Sequence, residues 1–380
     1  MQLNLKEKTR TKQFRYIATA AAVVLLVVVV IFLKDYADNR TYSTYEVVKS
    51  EKKSDSVSKY AYTDGNVVRY SIDGAALINR NLDTLWNQPY SMLDPRIDIC
   101  GGRILLYDRL GSAIHIFNKK GQVSSFAADG PILAARISAK NTVAALLKDG
   151  ENVSFVYYTE DGTPIASGES SMSDPGYPLA LTVSDDGGTV AISYLTVDDG
   201  VVGSKIRFYD FSSRGHNHEN NMTGEDTCQG ILIPEIQFLN GDECVAFRDD
   251  GFTVYKGRNS WKAVKNVDFD SEIVSTFHDG SHMGFIFRSE DRAHRYEMKI
   301  CTTNGNLVSS AYVDQPYTRV HVCGDWVIFS NNSSFSVYSM NGVCRYSGNV
   351  QAGCVADVLR IGKNELLTLT DYNMEVIRLK

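Results

Sequence analysis

The chain has 380 residues, 43% of them hydrophobic, and a formal net charge of −6 at pH 7. A chain of this length buries roughly 75% of the surface of its unfolded state, so stability does not require disulfides or metals. Residues 1–15 hold five basic residues and one acidic residue, which leaves a net charge of −10 on the rest of the chain. That remainder has no basic stripe, so a nucleic-acid partner is excluded.

An uncharged apolar run from Tyr16 to Leu33 follows the basic segment. As a helix it covers about 27 Å, close to the roughly 30 Å of hydrocarbon in a bilayer. A cleaved signal peptide is the alternative, but its apolar region would span about 7–15 residues and end at a small-x-small site. The longer run, followed by KDYADN, favours an uncleaved membrane anchor over residues 16–33.

The basic residues before the apolar run also predict its orientation. By the positive-inside rule, residues 1–15 form a cytoplasmic tail and the C-terminal part lies outside the cytoplasm. Residues 34–40 then form a short tether, and residues 41–380 form one extracytoplasmic domain. The expected location is therefore the cell membrane, as a single-pass type II protein.

Seven cysteines test this placement: Cys100, Cys228, Cys244, Cys301, Cys323, Cys344 and Cys354. Exported proteins often pair their cysteines, but seven is an odd number. Most of them lie in apolar, strand-like runs, which favours small buried side chains, with one disulfide as the alternative. No CxxC spacing occurs, so a zinc site is not predicted.

From residue 58 onward, short alternating runs are separated by glycine turns, many of them Asp-Gly. Asp-Gly readily takes the positive φ angles of tight hairpins, so the pattern indicates an all-β domain. The pattern repeats in units of four strands that start near Ser58, Ile97, Leu133, Pro178, Glu235, Ile273, Thr318 and Cys354. Four strands per unit at this period predict an eight-bladed β-propeller, with seven blades as the alternative count.

The last unit contains only three strands, which would leave an open edge in the ring. The segment TYSTYEVVKS at 41–50 alternates like a strand and precedes the first unit. We therefore expect it to supply the missing outer strand of the last blade, so that the two ends of the domain close the ring.

The fourth unit contains a long polar segment, RGHNHENNMTGEDTCQG at 214–230, which predicts a projecting loop. Loops of a rigid scaffold commonly carry partner contacts. The candidate partner-binding residues are His216, His218, Glu219, Asn221, Glu225 and Asp226. Weak metal-ligand candidates are His216 with His218, and His278 with His282 across a hairpin turn. A solvated loop and a plain polar turn are favoured at these two positions, so no metal or cofactor is predicted.

Two catalytic motifs are missing from the sequence, which contains no GxSxG elbow and no glycine-rich phosphate loop. The segment SDDGGTV at 184–190 fails as a sialidase-type aspartate box, because no tryptophan follows Thr189. It is closer to the S-x-DG hairpin of TolB-like and WD40-like repeats, where the acid caps the turn. Three tryptophans are too few for the regular docking pattern of quinoprotein dehydrogenases.

As a set, several segments resemble a group of uncharacterised, membrane-anchored propellers of Gram-positive bacteria, described as a domain of unknown function. The matching segments are the basic tail and anchor, WNQPYSM at 86–92, GYPL at 176–179, IRFYDF at 206–211 and the terminal VIRLK. The resemblance implies the fold and topology, and it implies no catalytic residues.

These observations predict a non-enzymatic binding or scaffold module at the cell envelope, whose partner is a protein or a glycan polymer. An envelope enzyme, a lyase or hydrolase at the mouth of the channel, is the alternative. It would use the ends of the inner strands, at Asp64, Cys100, Lys140, Asp185, Asn240, Asp279, Cys323 and Gly362. That ring of residues is chemically mixed, which favours binding over catalysis. A sensor is a third hypothesis, but the cytoplasmic tail is too short to hold a signalling domain.

Overall fold

The computed structural model describes residues 19–20, 22–30, 39–53, 58–257, 259–351 and 353–380. Residues 19–20 and 22–30 are helical. No helix within these described ranges has the length and apolar composition needed to cross a bilayer. The predicted tail, most of the predicted tether and parts of the predicted anchor lie outside the described residues, at 1–15, 34–38, 16–18, 21 and 31–33.

The remainder folds into eight four-stranded antiparallel sheets, numbered here as blades in chain order. Blade one contains β2 (Lys59–Thr63), β3 (Asn66–Ser71), β4 (Gly74–Ile78) and β5 (Thr84–Pro89). Blade two contains β6 (Pro95–Cys100), β7 (Arg103–Asp108), β8 (Ala113–Asn118) and β9 (Gly121–Ala127). Blade three contains β10 (Ile132–Ile137), β11 (Val143–Asp149), β12 (Asn152–Tyr158) and β13 (Pro164–Ser170). Blade four contains β14 (Tyr177–Val183), β15 (Thr189–Asp198), β16 (Val201–Asp210) and β17 (Met222–Gln229).

The second half of the ring repeats this arrangement. Blade five contains β18 (Glu235–Asn240), β19 (Glu243–Arg248), β20 (Gly251–Lys256) and β21 (Lys262–Asp268). Blade six contains β22 (Ile273–His278), β23 (His282–Arg288), β24 (Tyr296–Thr302) and β25 (Leu307–Val313). Blade seven contains β26 (Arg319–Cys323), β27 (Trp326–Ser330), β28 (Ser334–Ser339) and β29 (Cys344–Asn349). Blade eight contains β30 (Val355–Arg360), β31 (Glu365–Thr370), β32 (Asn373–Leu379) and β1 (Tyr45–Lys52).

Blade eight thus takes its outermost strand from the beginning of the domain. Strand β1 pairs antiparallel with β32, from Tyr45 opposite Leu379 to Lys52 opposite Asn373. Backbone hydrogen bonds fasten the same junction, because the Ser43 N–H donates to the Lys380 carbonyl at 3.0 Å. The predicted all-β, eight-bladed propeller is confirmed, and the count is eight rather than seven.

The apolar core lies between neighbouring blades, and strand β7 shows why. Its residues Ile104 and Leu106 pack toward blade one, whereas Leu105 and Tyr107 pack toward blade three. Successive side chains of a strand point to opposite sides, so a strand held between two blades must be apolar at every position. One apolar cluster of this kind lies at each of the eight junctions.

The two faces of the ring carry different connections, because strand direction alternates within each blade. The turns after the first and third strands lie on one face. We name it the terminal face, because Tyr42 and Lys380 lie there; the Tyr42 N–H donates to the Arg345 carbonyl beside the last turn of blade seven. The turns after the second strands and the links between blades lie on the opposite face, which we name the distal face.

The SDDGG turn between β14 and β15 is structural, as predicted. The Ser184 hydroxyl donates to an Asp186 carboxylate oxygen at 2.7 Å, and the Gly188 N–H donates to the same oxygen at 3.0 Å. Gly187 has a φ of 72°, a conformation that glycine adopts without steric cost. The acid therefore caps the turn and the glycine allows it.

The seven cysteines are free thiols in the described structure. Cys244, Cys301 and Cys323 are buried, in agreement with the predicted role as small apolar side chains. Cys344 and Cys354 are exposed, so that interpretation is wrong for these two positions. Both lie next to turns or links, where the apolar pattern of the strands does not apply.

Candidate functional site

The polar segment 214–230 is not one projecting loop. Short 3-10 turns occupy Gly215–Asn217 and Glu219–Asn221, and the rest of the segment is β17. Strand β17 pairs with β16 over its whole length and alternates in exposure, as an outermost strand does. Its outward side chains meet solvent, so its composition is as polar as that of a loop. The loop prediction is therefore wrong from Met222 onward.

The histidine candidates for a metal site do not converge. His216 and His218 are exposed residues of the turn on the terminal face. His278 instead approaches Glu235, with its Nε2 3.5 Å from a carboxylate oxygen, and His282 pairs with Asp279 at the same distance. Within the described part of the chain, no group of three or more histidine, cysteine, aspartate or glutamate residues is arranged to hold a metal ion.

Two of the predicted partner-binding residues, Glu219 and Asn221, line a cavity of about 710 Å³ between blades three and four. We name this cavity the lateral cleft. Strand β13 forms one wall, and β16 with the second 3-10 turn forms the other. The cleft opens on the rim of the ring, separate from the central channel.

The floor of the lateral cleft is aromatic. Phe155 of blade three stacks on Tyr209 and Phe211 of blade four, with ring centroids 6.2 and 6.1 Å apart and interplanar angles of 16° and 20°. Tyr209 and Phe211 are nearly parallel to each other, at 11°. These three rings are only half-buried, so their faces are partly available to a ligand.

One end of the cleft is closed by a charged cluster around Arg207. Its Nε donates to Glu225 at 2.6 Å, and one terminal nitrogen donates to Asp174 at 2.9 Å. Burial would lower the pKa of Arg207, but the hydrogen bond that it donates to Glu225 and the nearby carboxylate charges outweigh burial, so this pKa is raised. Nearby, the Tyr194 hydroxyl lies 3.5 Å from that of Tyr209, and burial raises the pKa of Tyr194 well above its usual value.

The remaining predicted residues have structural partners. Glu225 holds Arg207, as described, and Asp226 faces the next blade, where it accepts a hydrogen bond from the Tyr255 hydroxyl at 2.8 Å. The structure therefore brings Glu219 and Asn221 to the cleft, places Glu225 beside it through Arg207, and leaves Asp226 outside it.

Sequence reasoning missed the residues that form the body of the cleft: Phe155, Arg207, Tyr209 and Phe211. The segment IRFYDF at 206–211 carried a signal for this site. Its alternate residues, Arg207, Tyr209 and Phe211, lie on the same side of the strand. In a strand with both sides covered, a side that carries an arginine among aromatic residues is unusual, because a charged group is costly to bury. The partner ring of Phe155 comes from another blade, and local sequence does not indicate it.

A second, smaller cavity of about 320 Å³ lies within the central channel and is lined by the first strands of blades two to six. Most of its charged groups are ion-paired. Arg136 lies 3.8 Å from Asp98, and Asp98 also accepts the Ile137 N–H at 2.8 Å. Burial raises the pKa of Asp98, and the charge of Arg136 opposes that shift. On the opposite side of the ring, His321 contacts Asp357 at 2.8 Å.

Cys100 is one of the strand-end residues that an envelope enzyme would use, but it is not an activated nucleophile. Its thiol donates to Asp185 at 3.2 Å. Burial and this carboxylate together raise the pKa of Cys100 to about 12, so the thiolate is scarce at neutral pH. The chemistry at this mouth of the channel therefore favours contacts over nucleophilic catalysis.

The closed ring of eight four-stranded blades, with its central channel and lateral cleft, defines a β-propeller. The chain belongs to DUF5711, a family of unknown function, whose sequence profile matches residues 38–379. No curated protein matches the chain.

Solved structures share the fold. The chain is similar to BamB from Moraxella catarrhalis, with a TM-score of 0.54 and 12% identity over 88% of this chain and 100% of that one. It is also similar to Saccharomyces cerevisiae Sqt1, with a TM-score of 0.54 and 12% identity over 89% of this chain and 98% of that one. At such identities the likeness shows the fold alone.

Proposed function

We propose that this protein is a membrane-anchored, extracytoplasmic β-propeller that acts as a non-enzymatic binding or scaffold module at the cell envelope. The anchor is supported by the uncharged run 16–33 and the basic residues before it. The binding role is supported by the fold. The mostly paired channel charges and the raised pKa of Cys100 give no support to the alternative of a lyase or hydrolase there.

The path of the chain supports an orientation for the ring. The domain begins at the terminal face, where Tyr42 is hydrogen-bonded. Seven tether residues reach at most about 25 Å even when fully extended. An anchored ring would therefore keep its terminal face near the membrane and turn its distal face toward other envelope molecules.

The observation that carries the proposal is the apolar surface of the distal face. Leu93 and Leu110 are 89% and 59% exposed, and Ile72 beside them is 47% exposed. A backbone hydrogen bond of 2.9 Å from Met92 to Ile72 joins this patch across two connections. Other exposed apolar side chains at this face are Met172, Val197, Val201, Val202, Leu232, Val274 and Tyr372.

The two faces also differ in charge and in apolar exposure. The described connections of the distal face contain fourteen acidic and four basic residues, against ten and six on the terminal face. Exposed large apolar side chains next to terminal-face turns are fewer in the described structure, namely Tyr62, Leu85, Ile165, Leu307 and Val308. Contiguous exposed apolar surface rimmed by polar residues marks interaction sites. The distal face is therefore complementary to a protein partner whose contact surface is apolar at its centre and basic around its edge.

The test is crosslinking in intact cells with tagged, full-length protein, followed by mass spectrometry. The test variant is Leu93→Asp with Leu110→Asp. The matched control is Val264→Asp with Leu307→Asp, because these side chains are 53% and 60% exposed but lie on the outermost strands of blades five and six. We expect the wild type and the control to crosslink to the same envelope proteins, and we expect the test variant to lose these crosslinks. Equal crosslinking by all three proteins would contradict a docking role for the distal face.

A further inference from the structure

We propose that the lateral cleft binds a short segment of saccharide that is neutral or carries free amines. This inference rests on the proposed binding function and specifies one ligand class for it. It does not depend on the distal face, so its test is separate from the crosslinking test above.

The aromatic floor is the first part of the argument. Phe155, Tyr209 and Phe211 present nearly parallel rings at interplanar angles of 11° to 20°. The exposed face of an aromatic ring packs well against the flat, apolar C–H face of a sugar ring, because both surfaces are poorly hydrated. Small-ligand sites combine such apolar surface with a few fixed polar groups.

Gly168 keeps the floor open. It lies opposite Phe155 in the pairing of β12 with β13, and a Cβ at this position would meet no atom within 4 Å. The missing side chain therefore leaves free space directly beside the Phe155 ring. Because Gly168 does not have a positive φ angle, a larger residue fits its backbone without strain.

Carboxylate and amide side chains surround the aromatic floor. Glu169 and Glu219 make no side-chain hydrogen bond or ion pair within the described residues, and both carboxylates are exposed at the cleft. Asn221 lies on the same wall as Glu219. A carboxylate or amide accepts two hydrogen bonds at once, which matches neighbouring hydroxyl or amine groups of a sugar.

The negative charge of the cleft excludes anionic saccharides from the proposed ligand class. Glu169, Asp174, Glu219 and Glu225 lie in or beside it, whereas the basic groups there, Lys205 and Arg207, already contact Asp174. Asp174 is itself 68% exposed. The accessible charge is therefore negative, and it disfavours sulfated, phosphorylated or uronic-acid polymers while favouring amines. The volume of about 710 Å³ lies within the range of roughly 300–1,000 Å³ for small-ligand sites.

The experiment is calorimetric titration of the full-length protein in nanodiscs with four probes. These are a glucosamine tetramer, an N-acetylglucosamine tetramer, a polygalacturonate oligomer and tetralysine. The variants are Gly168→Leu, which fills the cleft, and Glu169→Gln with Glu219→Gln, which removes its unpaired charges. The control is Asn266→Leu, an exposed position on the outermost strand of blade five.

We expect both glucosamine-based tetramers to bind and the polygalacturonate oligomer not to bind. Gly168→Leu should weaken binding at least tenfold, whereas Asn266→Leu should leave it unchanged. The wild type should bind the glucosamine tetramer more tightly than the N-acetylglucosamine tetramer, because free amines are attracted to the carboxylates. The double glutamine variant should lose this preference. Saccharide binding that survives Gly168→Leu, binding of tetralysine alone, or no binding of any probe would each overturn the proposal.

Discussion

Charged side chains in the channel are held by partners from neighbouring blades. Glu235 begins β18 and contacts two side chains of β22, namely His278 at 3.5 Å and the Thr276 hydroxyl at 2.9 Å. Burial alone would raise the pKa of Glu235, but the hydrogen bond and charge of His278 lower it overall. The contact therefore links two blades through an ionised carboxylate.

This link makes stability depend on pH. A carboxylate whose pKa is lowered by folding stabilises the native state above its unfolded pKa of 4.5, and that contribution is lost as the pH falls through the folded value. We expect the unfolding free energy of the wild type to fall more steeply than that of Glu235→Gln between about pH 5 and pH 3. The difference at pH 7 should stay below about 1 kcal/mol, because the pair is partly exposed.

Denaturant titrations at pH 7, 5, 4 and 3 measure this effect. Parallel curves for the wild type and Glu235→Gln would show that the pair contributes nothing to the pH dependence. Thr276→Val removes one hydrogen bond that lowers the pKa of Glu235 and keeps the titrating group, so its slope should lie between those of the wild type and Glu235→Gln.

Individual site residues were predictable only in part. Glu219 and Asn221 were found through the polarity of their segment, and they do line the cleft. Asp226 has the same polarity, yet Tyr255 of the next blade holds it. Local sequence reports polarity but not which distant strand supplies a partner, so the aromatic floor formed by Phe155 with Tyr209 and Phe211 could not be predicted.

At the scale of elements, alternation and glycine turns indicated the blades well. The predicted unit near Ser58 begins with β2 at Lys59, and the unit near Glu235 begins with β18 at that residue. The prediction of a loop is wrong at β17. The outermost strand of a blade has one side in solvent and therefore resembles a loop in composition. Inner and middle strands are covered on both sides, and their apolar runs are therefore unambiguous.

The closing strand β1 yields a prediction at this scale. The Tyr45 ring packs at 6.2 Å from Phe335 and 6.1 Å from Tyr346, and its hydroxyl accepts the Gln351 N–H at 2.9 Å. Tyr45→Ala should lower the unfolding free energy by about 2 kcal/mol, through lost aromatic packing and the unpaired N–H. Tyr372→Ala should cost less than about 0.5 kcal/mol, because Tyr372 is 70% exposed.

Urea unfolding of the two variants beside the wild type measures both values. A loss at Tyr45 no larger than the loss at Tyr372 would mean that β1 does not fasten the ring. Tyr45→Phe separates the two contributions, because it keeps the ring contacts and removes only the hydroxyl.

At the scale of the whole molecule, the period of the repeat was sufficient to predict eight blades, because each blade buries its sides only against its neighbours. The two faces were not predictable in the same way. Their difference in charge and apolar exposure is a sum over connections from every blade, including Leu93 and Leu110, which are unremarkable in the linear sequence.

The proposed anchor leads to a prediction for intact cells. Protease added outside should cut between the anchor and β1 and release the ring with β1 still paired, because β1 begins only at Tyr45. The released fragment should unfold at the same temperature as the full-length protein, as measured by circular dichroism. Protection of the whole chain until the cells are lysed would contradict the extracytoplasmic location.

The pairing of β1 with β32 has a consequence for the time course of folding. Ser50 and Glu375, which share a hydrogen bond of 3.2 Å across this junction, are separated by 325 positions. Contacts this distant in sequence form late, since the intervening chain must first be ordered. During synthesis β1 emerges first and waits for the last strand, so seven blades can assemble before the ring closes. A nascent chain held at this stage would expose the outer edge of β1, the kind of edge that invites pairing with another chain.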